Sequence, residues 1–250
     1  MNKKHNEIKY SLDFISDNDF DLVVSELFEK AISAKVKMND KKFHERVIDP
    51  LSSLIEISAF DLSYDDWKKG EQRRQIQKTL NNAIGGFHQK LLGKVSGWED
   101  LGTGGGIDLV NEDKKIIAEI KNKHNTVPFG KEKDVYTELL NLVMPKNSKY
   151  KDFTAYYVKI IPSKPERYNK NFTPSDKETG IHKPDNPLIK VIDGYSFYNL
   201  VTDKKNAYEK IFQSIPLSIL KNYDKEFTNF DNIKSLFDKA YVDPNPKLFK

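Results

Sequence analysis

Apolar residues recur at helical spacing three times before residue 93. Between residues 17 and 34, Phe20, Val23, Val24, Leu27, Phe28 and Ala31 fall on one face of an amphipathic helix. Asp49-Pro50 has the form of a helix start, with Asp at the N-cap and Pro in the first turn, and Leu51, Leu54, Ile55 and Ile57 carry that helix to about Phe60. A third helix is predicted over 71–93, where Ile76, Leu80, Ala83, Ile84, Phe87, Leu91 and Leu92 share a face. The period then shortens. Residues 94–101 read as a short strand or turn, and 106–111 as a strand entered through Gly102-Thr103-Gly104-Gly105-Gly106. Asn111-Glu112-Asp113-Lys114 reads as a tight turn and 115–122 as an isoleucine-rich strand. A helix over 131–144 and an aromatic strand over 153–161 follow. The Pro- and Lys-rich stretch 162–187 has no period. Strands at 188–192 and 195–201 and helices at about 203–213 and 231–240 complete the chain. This order predicts an α/β fold, a mixed sheet flanked by helices, with an N-terminal helical portion (1–66) packed on a core (67–250).

Composition adds little to that picture and removes several alternatives. The 250 residues carry 41 Lys plus Arg against 37 Asp plus Glu, a net charge of +4, which permits an anionic partner without demanding one. There is no cysteine, which rules out disulfides, thiol catalysis and Cys-based zinc or iron–sulfur sites. No window approaches the length and apolarity of a membrane span, so a soluble protein with no membrane partner is expected. The glycine run lacks the Gly-Lys-[Ser/Thr] ending of a phosphate-cradling loop and leads into a strand, so no nucleotide cofactor is expected.

The chemistry concentrates in the hairpin. Alternate residues of a strand share a face, so Glu119 and Lys121 point one way, together with Ile117. If the turn at Glu112-Asp113 has an even length, Asp108 pairs opposite Ile117 and joins Glu119 and Lys121 on that face; a three-residue turn would reverse the parity. Two converging, half-buried carboxylates repel unless a cation neutralises them, and Mg2+ takes one or two carboxylates with water and phosphate oxygens. A lysine beside them can orient or deprotonate the attacking water. The set suits phosphodiester hydrolysis, while the same charges on an edge hairpin could equally be a solvated face.

Asp108…Glu119-Ile120-Lys121 resembles the PD-(D/E)xK nuclease signature, with Ile107 in the place of the signature's proline. The runs Asn82-Ala83-Ile84-Gly85-Gly86-Phe87-His88-Gln89 and Glu119-Ile120-Lys121-Asn122-Lys123-His124-Asn125-Thr126 resemble a group of type II restriction endonucleases that cut GG-N-CC or GG-W-CC sites. The resemblance covers most of the chain and is weakest before residue 40. It implies a restriction-endonuclease-like core and Mg2+-dependent cleavage of both strands of double-stranded DNA at a short, near-palindromic site. It also implies a homodimer in the prokaryotic cytoplasm. By that resemblance Asp108 and Glu119 hold metal and Lys121 acts on the water. A repair or junction-resolving nuclease with the same core, or a non-catalytic nucleic-acid-binding protein, are the alternatives.

Other residues are candidates for the border of the site or for DNA contact. Glu71, Gln75, Lys78, Asn82, Gly85 and Gln89 form a polar stripe on the third helix, which is either solvated or lines the site. Gly85-Gly86 in mid-helix costs about 1 kcal/mol per glycine, which suggests close backbone approach to the sheet or to a phosphate. His88 and Gln89 could then reach the site, His88 as a hydrogen-bonded neighbour rather than a metal ligand. Lys123 suits a phosphate, and Asn125 a phosphate or an adenine. Arg73, Arg74 and Arg167, three of the four arginines, are the candidates to read guanine.

Overall fold

The computed structural model describes residues 8–102, 106–176 and 178–242. Eight helices and six strands occur among them. They are α1 (Asp17–Val36), α2 (Asp40–His44), α3 (Pro50–Ala59), α4 (Tyr64–Leu92), β1 (Glu99–Asp100), β2 (Leu109–Asn111), β3 (Ile116–Lys123), α5 (Glu132–Val143), β4 (Thr154–Ile161), β5 (Asn169–Asn171), β6 (Ile189–Asp193), α6 (Gly194–Thr202), α7 (Ala207–Tyr223) and α8 (Phe230–Tyr241). The strands form one sheet in the order β1-β2-β3-β4-β6-β5. Its centre, β3-β4-β6, is parallel, and its edges pair antiparallel. This is the mixed α/β sheet with flanking helices that the residue pattern predicts. No described helix is long and apolar enough to cross a membrane.

Strand alternation divides the core. Ile117, Ala155, Tyr157, Ile189 and Val191 face α5, which buries Val135, Tyr136, Leu139 and Val143 against them. Ala118, Ile120, Tyr156, Val158, Ile160 and Ile192 face the opposite layer, made of α1, α4, α6 and α7. Glu119 and Lys121 therefore lie on the α5 side of the sheet.

α4 is the longest element, at 29 residues, and starts earlier than expected because Ser63 caps it, accepting from the Asp66 N–H. The boundary expected at 66/67 falls in its first turn. Gly93, just past its C-terminus, abuts Asp100, and His88, five residues back, lies beside Asn122 near the end of β3. α4 thus runs antiparallel to β3. Its N-terminal part passes beyond the carboxyl end of the strand, where it packs with α1, α2 and α3. There the apolar stripe of the sequence is only half met: Ile76, Leu80 and Ile84 are half-buried, and α3 buries none of its residues.

Two expected elements differ. Residues 195–201 form helix α6, not a strand. Asp193 caps it, its Oδ1 accepting the Ser196 N–H at 2.9 Å. Tyr195, Phe197, Tyr198 and Val201 are buried while Ser196, Asn199 and Leu200 are half-buried, a helical pattern; the run reads as a strand because it is short and rich in aromatic residues, which strands favour. α7 extends to Tyr223, well past the expected 213, through Pro216 inside the helix. The unperiodic stretch 162–187 contains a short edge strand, β5, and α2 was not foreseen.

Candidate active site

β2 and β3 pair with Asn111 opposite Ile116, Val110 opposite Ile117 and Leu109 opposite Ala118. Beyond Leu109 the ladder is offset, because the Asp108 N–H donates to Ala118 O at 2.8 Å. The turn has an even length, but it sets Val110, not Asp108, opposite Ile117. The Asp108 carboxyl reaches over to the Ile120 N–H and comes within the influence of Glu119 and Lys121. The turn takes in Lys114 and Lys115 because Asn111 Oδ1 accepts the Lys114 N–H at 2.8 Å and Lys115 adopts a left-handed φ of 51°. The shift moves the two carboxyls closer than the sequence implied.

Both carboxyls are held from several sides. Asp108 Oδ2 accepts the backbone N–H of Ile120 at 2.6 Å. Lys121 Nζ donates to Glu119 Oε1. The side chain of Glu119 is 14% exposed and that of Lys121 28%. Burial raises Asp108 above the usual carboxylate range, opposed by the Ile120 N–H and by Lys121. Burial, followed by the Asp108 carboxylate, pushes Glu119 up to about 7.

That shift has a signed consequence for stability. A carboxyl with a raised folded pKa is protonated in the folded chain while the unfolded chain has already lost the proton. Stability from this group is therefore full below about 4.5 and falls as pH rises through about 7. Glu119→Gln removes the penalty. In EDTA the variant is expected to be more stable than the parent at pH 8, by about 2 kcal/mol, with the difference gone by about pH 4.5. Equal melting temperatures at pH 8 would contradict the assignment of a strained carboxyl pair.

Gln89 reaches the backbone of Asp108. Its Nε2 is 2.8 Å from Asp100 Oδ1, 3.1 Å from Gly102 O and 3.3 Å from Asp108 O, so α4 holds both ends of the glycine-rich loop whose residues 103–105 lie outside the described chain. His88 is fully buried, with Nδ1 2.8 Å from Tyr198 Oη. Burial lowers its pKa to about 4, opposed by Asn122, so it stays neutral near neutral pH and sits behind β3 as a hydrogen-bonded neighbour. Lys123 and Asn125 are exposed in the turn that leaves β3, which Thr126 Oγ1 closes by accepting the Lys123 N–H at 3.1 Å. Asn82 is exposed on α4, about 10 Å along the helix from Gln89.

The arginines divide. Arg73 is exposed. Arg74 ties α3 to α4 through Glu56 at 3.0 Å and Glu71 at 2.8 Å. Arg167 is not presented to a groove: its guanidinium stacks 3.6 Å from the Tyr195 ring centroid, and its Nη1 lies 3.8 Å from Asp193. The polar stripe of α4 is not uniformly solvated either, since Gln75 is buried and donates to Glu71 Oε1 at 3.1 Å.

Gly85 and Gly86 do not approach the sheet, because a Cβ at either would meet nothing within 4 Å. Gly85→Ala is therefore expected to stabilise the free protein by about 1 kcal/mol. Thermal melting checks this, and a destabilised variant would show a contact the geometry lacks.

The sequence reading passed over Lys159. It lies beside Lys121 on β4, pairs with Glu132 of α5 at 2.6 Å and sits 5.2 Å from the Tyr157 ring centroid. The available signal was a lone charge in an otherwise apolar and aromatic strand. His124, Asn125, Glu132, Lys159 and Lys170 line a cleft of about 460 Å3 on this side of the sheet.

A helix-flanked mixed sheet that bears two neighbouring carboxyls and a lysine has a restriction-endonuclease-like fold. The comparison with known proteins specifies the class further. Residues 12–224 match the Eco47II restriction endonuclease family, and the chain belongs to it. It is 48% identical over 208 residues to the type II restriction enzyme Eco47II of Escherichia coli, covering 83% of this chain and 86% of the relative. It is 31% identical over 211 residues to the type II restriction enzyme Sau96I of Staphylococcus aureus, covering 83% and 79%. By family it is a restriction endonuclease.

Proposed function

We propose that this chain is a type II enzyme that hydrolyses both strands of double-stranded DNA at a short, near-palindromic site of the GG-N-CC or GG-W-CC kind, with Mg2+ as cofactor and as a homodimer. What supports the reading is the nearness of the half-buried Asp108 and Glu119 carboxyls to one another, with Lys121 donating to Glu119. The donor set fits a hard divalent cation. Two half-buried carboxyls, both raised by burial, converge, and among the described residues no third Asp, Glu or His completes a cage. The remaining positions would fall to water and phosphate oxygens, as Mg2+ prefers. Bound there, the ion would supply charge stabilisation at the scissile phosphate.

The residues of the chain do the rest. Asp108 and Glu119 fix the place of the phosphate on the strand face. Asp108 is oriented by the Ile120 N–H, and its backbone is held by Gln89. Lys121 exchanges its partner Glu119 for the attacking water, which its ammonium orients, and it takes the water's proton only after giving up one of its own. Lys123 and Asn125, exposed where β3 ends, meet the phosphate backbone or a base edge. A homodimer follows from symmetry, since the two strands of a near-palindrome are related by a two-fold axis.

Digestion of a plasmid followed by sequencing of the fragment ends tests this. Discrete limit fragments that share one short site and a symmetric cut, formed with Mg2+ and not in EDTA, are expected. Nicking governed by DNA structure would favour the repair reading, and intact DNA the non-catalytic one.

A further inference from the structure

The part of α4 that passes beyond the sheet forms a cleft of about 490 Å3 with the C-terminal half of α1 and with α2. Four cations line it, namely Lys30, Lys37, Lys42 and Arg46, opposite Thr79 and Asn82 of α4. None of the described lining residues is acidic. Lys30 and Lys37 are exposed and pair with no carboxylate among the described residues. Lys42 pairs with Glu45 at 2.5 Å. Arg46 is held loosely over α4, with Nη1 3.4 Å from Gln75 O and Nη2 3.4 Å from Thr79 Oγ1. In a chain whose net charge is only +4, this is a local concentration of positive charge with little to neutralise it.

Its position gives the charge a use. Asn82 and Gln89 are seven residues apart and so lie on one stripe of α4, and Gln89 touches the backbone of Asp108. Thr79 and Asn82 lie about 10–15 Å from Gln89 along the helix, on the far side of the carboxyl end of β3. At about 3.4 Å per base pair, that is about three to five base pairs from the phosphate at Asp108 and Glu119.

Building on the DNA-cleaving function proposed above, we propose that the cleft between α1, α2 and α4 is a second DNA contact, which binds the phosphates of the duplex flanking the recognition site. It carries no sequence information. Lys30 and Lys37 neutralise flanking phosphates, Arg46 turns from its long contacts on α4 to a phosphate oxygen, and Thr79 and Asn82 supply neutral donors. The enzyme then grips DNA outside the bases it reads, and its affinity depends on how far the duplex extends.

The test compares the parent with Lys30→Ala/Lys37→Ala, a pair of exposed side chains whose removal spares the packing. Binding is measured in EDTA at about 4 °C, across a salt series, to two duplexes with the site at their centre, one with about 1 and one with about 12 flanking base pairs on each side. The parent should bind the longer duplex more tightly. The variant should lose roughly a hundredfold in affinity for it at about 0.15 M salt, and the slope of log K against log salt should fall by about 4, two lysines from each protomer of the dimer. Both proteins should bind the short duplex alike. Lys30→Glu/Lys37→Glu should enlarge the loss on the long duplex only. An unchanged slope, or an equal loss on both duplexes, would overturn the proposal. Whether the parent yields discrete plasmid fragments is read separately, so failure of the cleavage reading shows there and not here.

Discussion

Alanine at Asp108 or at Glu119 is expected to lower the single-turnover rate of DNA cleavage by about 10³-fold or more, while binding of the uncleaved site in EDTA stays within about threefold of the parent. The asymmetry follows from where the side chains lie. The two carboxyls lie close together, while Lys123 and Asn125 are exposed beyond the end of β3, so in the proposed roles the loss of a carboxyl affects the phosphate and spares the DNA contact. A group acting on the transferred proton or on developing charge is worth about 10²–10⁴-fold. Lys121→Ala is expected to fall in the same range, for its ammonium is the nearest cation to Glu119. The two losses should not add, because residues that act as one unit fail together. Rapid-quench cleavage of a short duplex measures the rates. Variants that cut as fast as the parent would place the chemistry elsewhere.

The second large effect concerns the fold. Gly194→Ala is expected to destabilise the protein by about 3 kcal/mol or more. A Cβ on Gly194 would lie 2.5 Å from both Cα and O of Ile160, the central strand β4, and neither can yield as a flexible side chain would. The clash falls at the first residue of α6, directly after Asp193, a fully buried carboxylate whose Oδ2 accepts the Tyr168 N–H at 2.7 Å while Oδ1 caps the helix. Moving Gly194 away from β4 would break both bonds. For a chain of this size the cost corresponds to a fall in Tm of about 6–12 °C. A variant melting within about 2 °C of the parent would show that the sheet and α6 can separate without cost.

These two positions also show what the sequence could and could not disclose. That Glu119 and Lys121 share a face was legible because strand alternation is a local property. The register was not, because it depended on the Asn111 side chain closing on Lys114 and on Lys115 taking a left-handed φ. Asp193-Gly194 held a readable cap, but the run after it looked like a strand, since a short segment rich in aromatic residues has strand-like composition. Lys159 escaped notice because its importance comes from the parallel pairing of β4 with β3, and nothing local to residue 159 records that neighbour. The four cations of the α1–α2–α4 cleft are spread over residues 30–46, and only the crossing of three helices gathers them. Of the two close approaches that Gly85-Gly86 suggested, to the sheet or to a phosphate, the folded chain does not make the first.

The central claim is that Asp108 and Glu119 together hold a divalent ion. Titration of the metal-free protein with Mn2+, followed by electron paramagnetic resonance of the free ion, tests it most directly, since it needs neither DNA nor turnover. Saturable binding in the parent and in Lys121→Ala, lost in Asp108→Ala and in Glu119→Ala, is the predicted result. Equal binding by all four proteins would contradict the account.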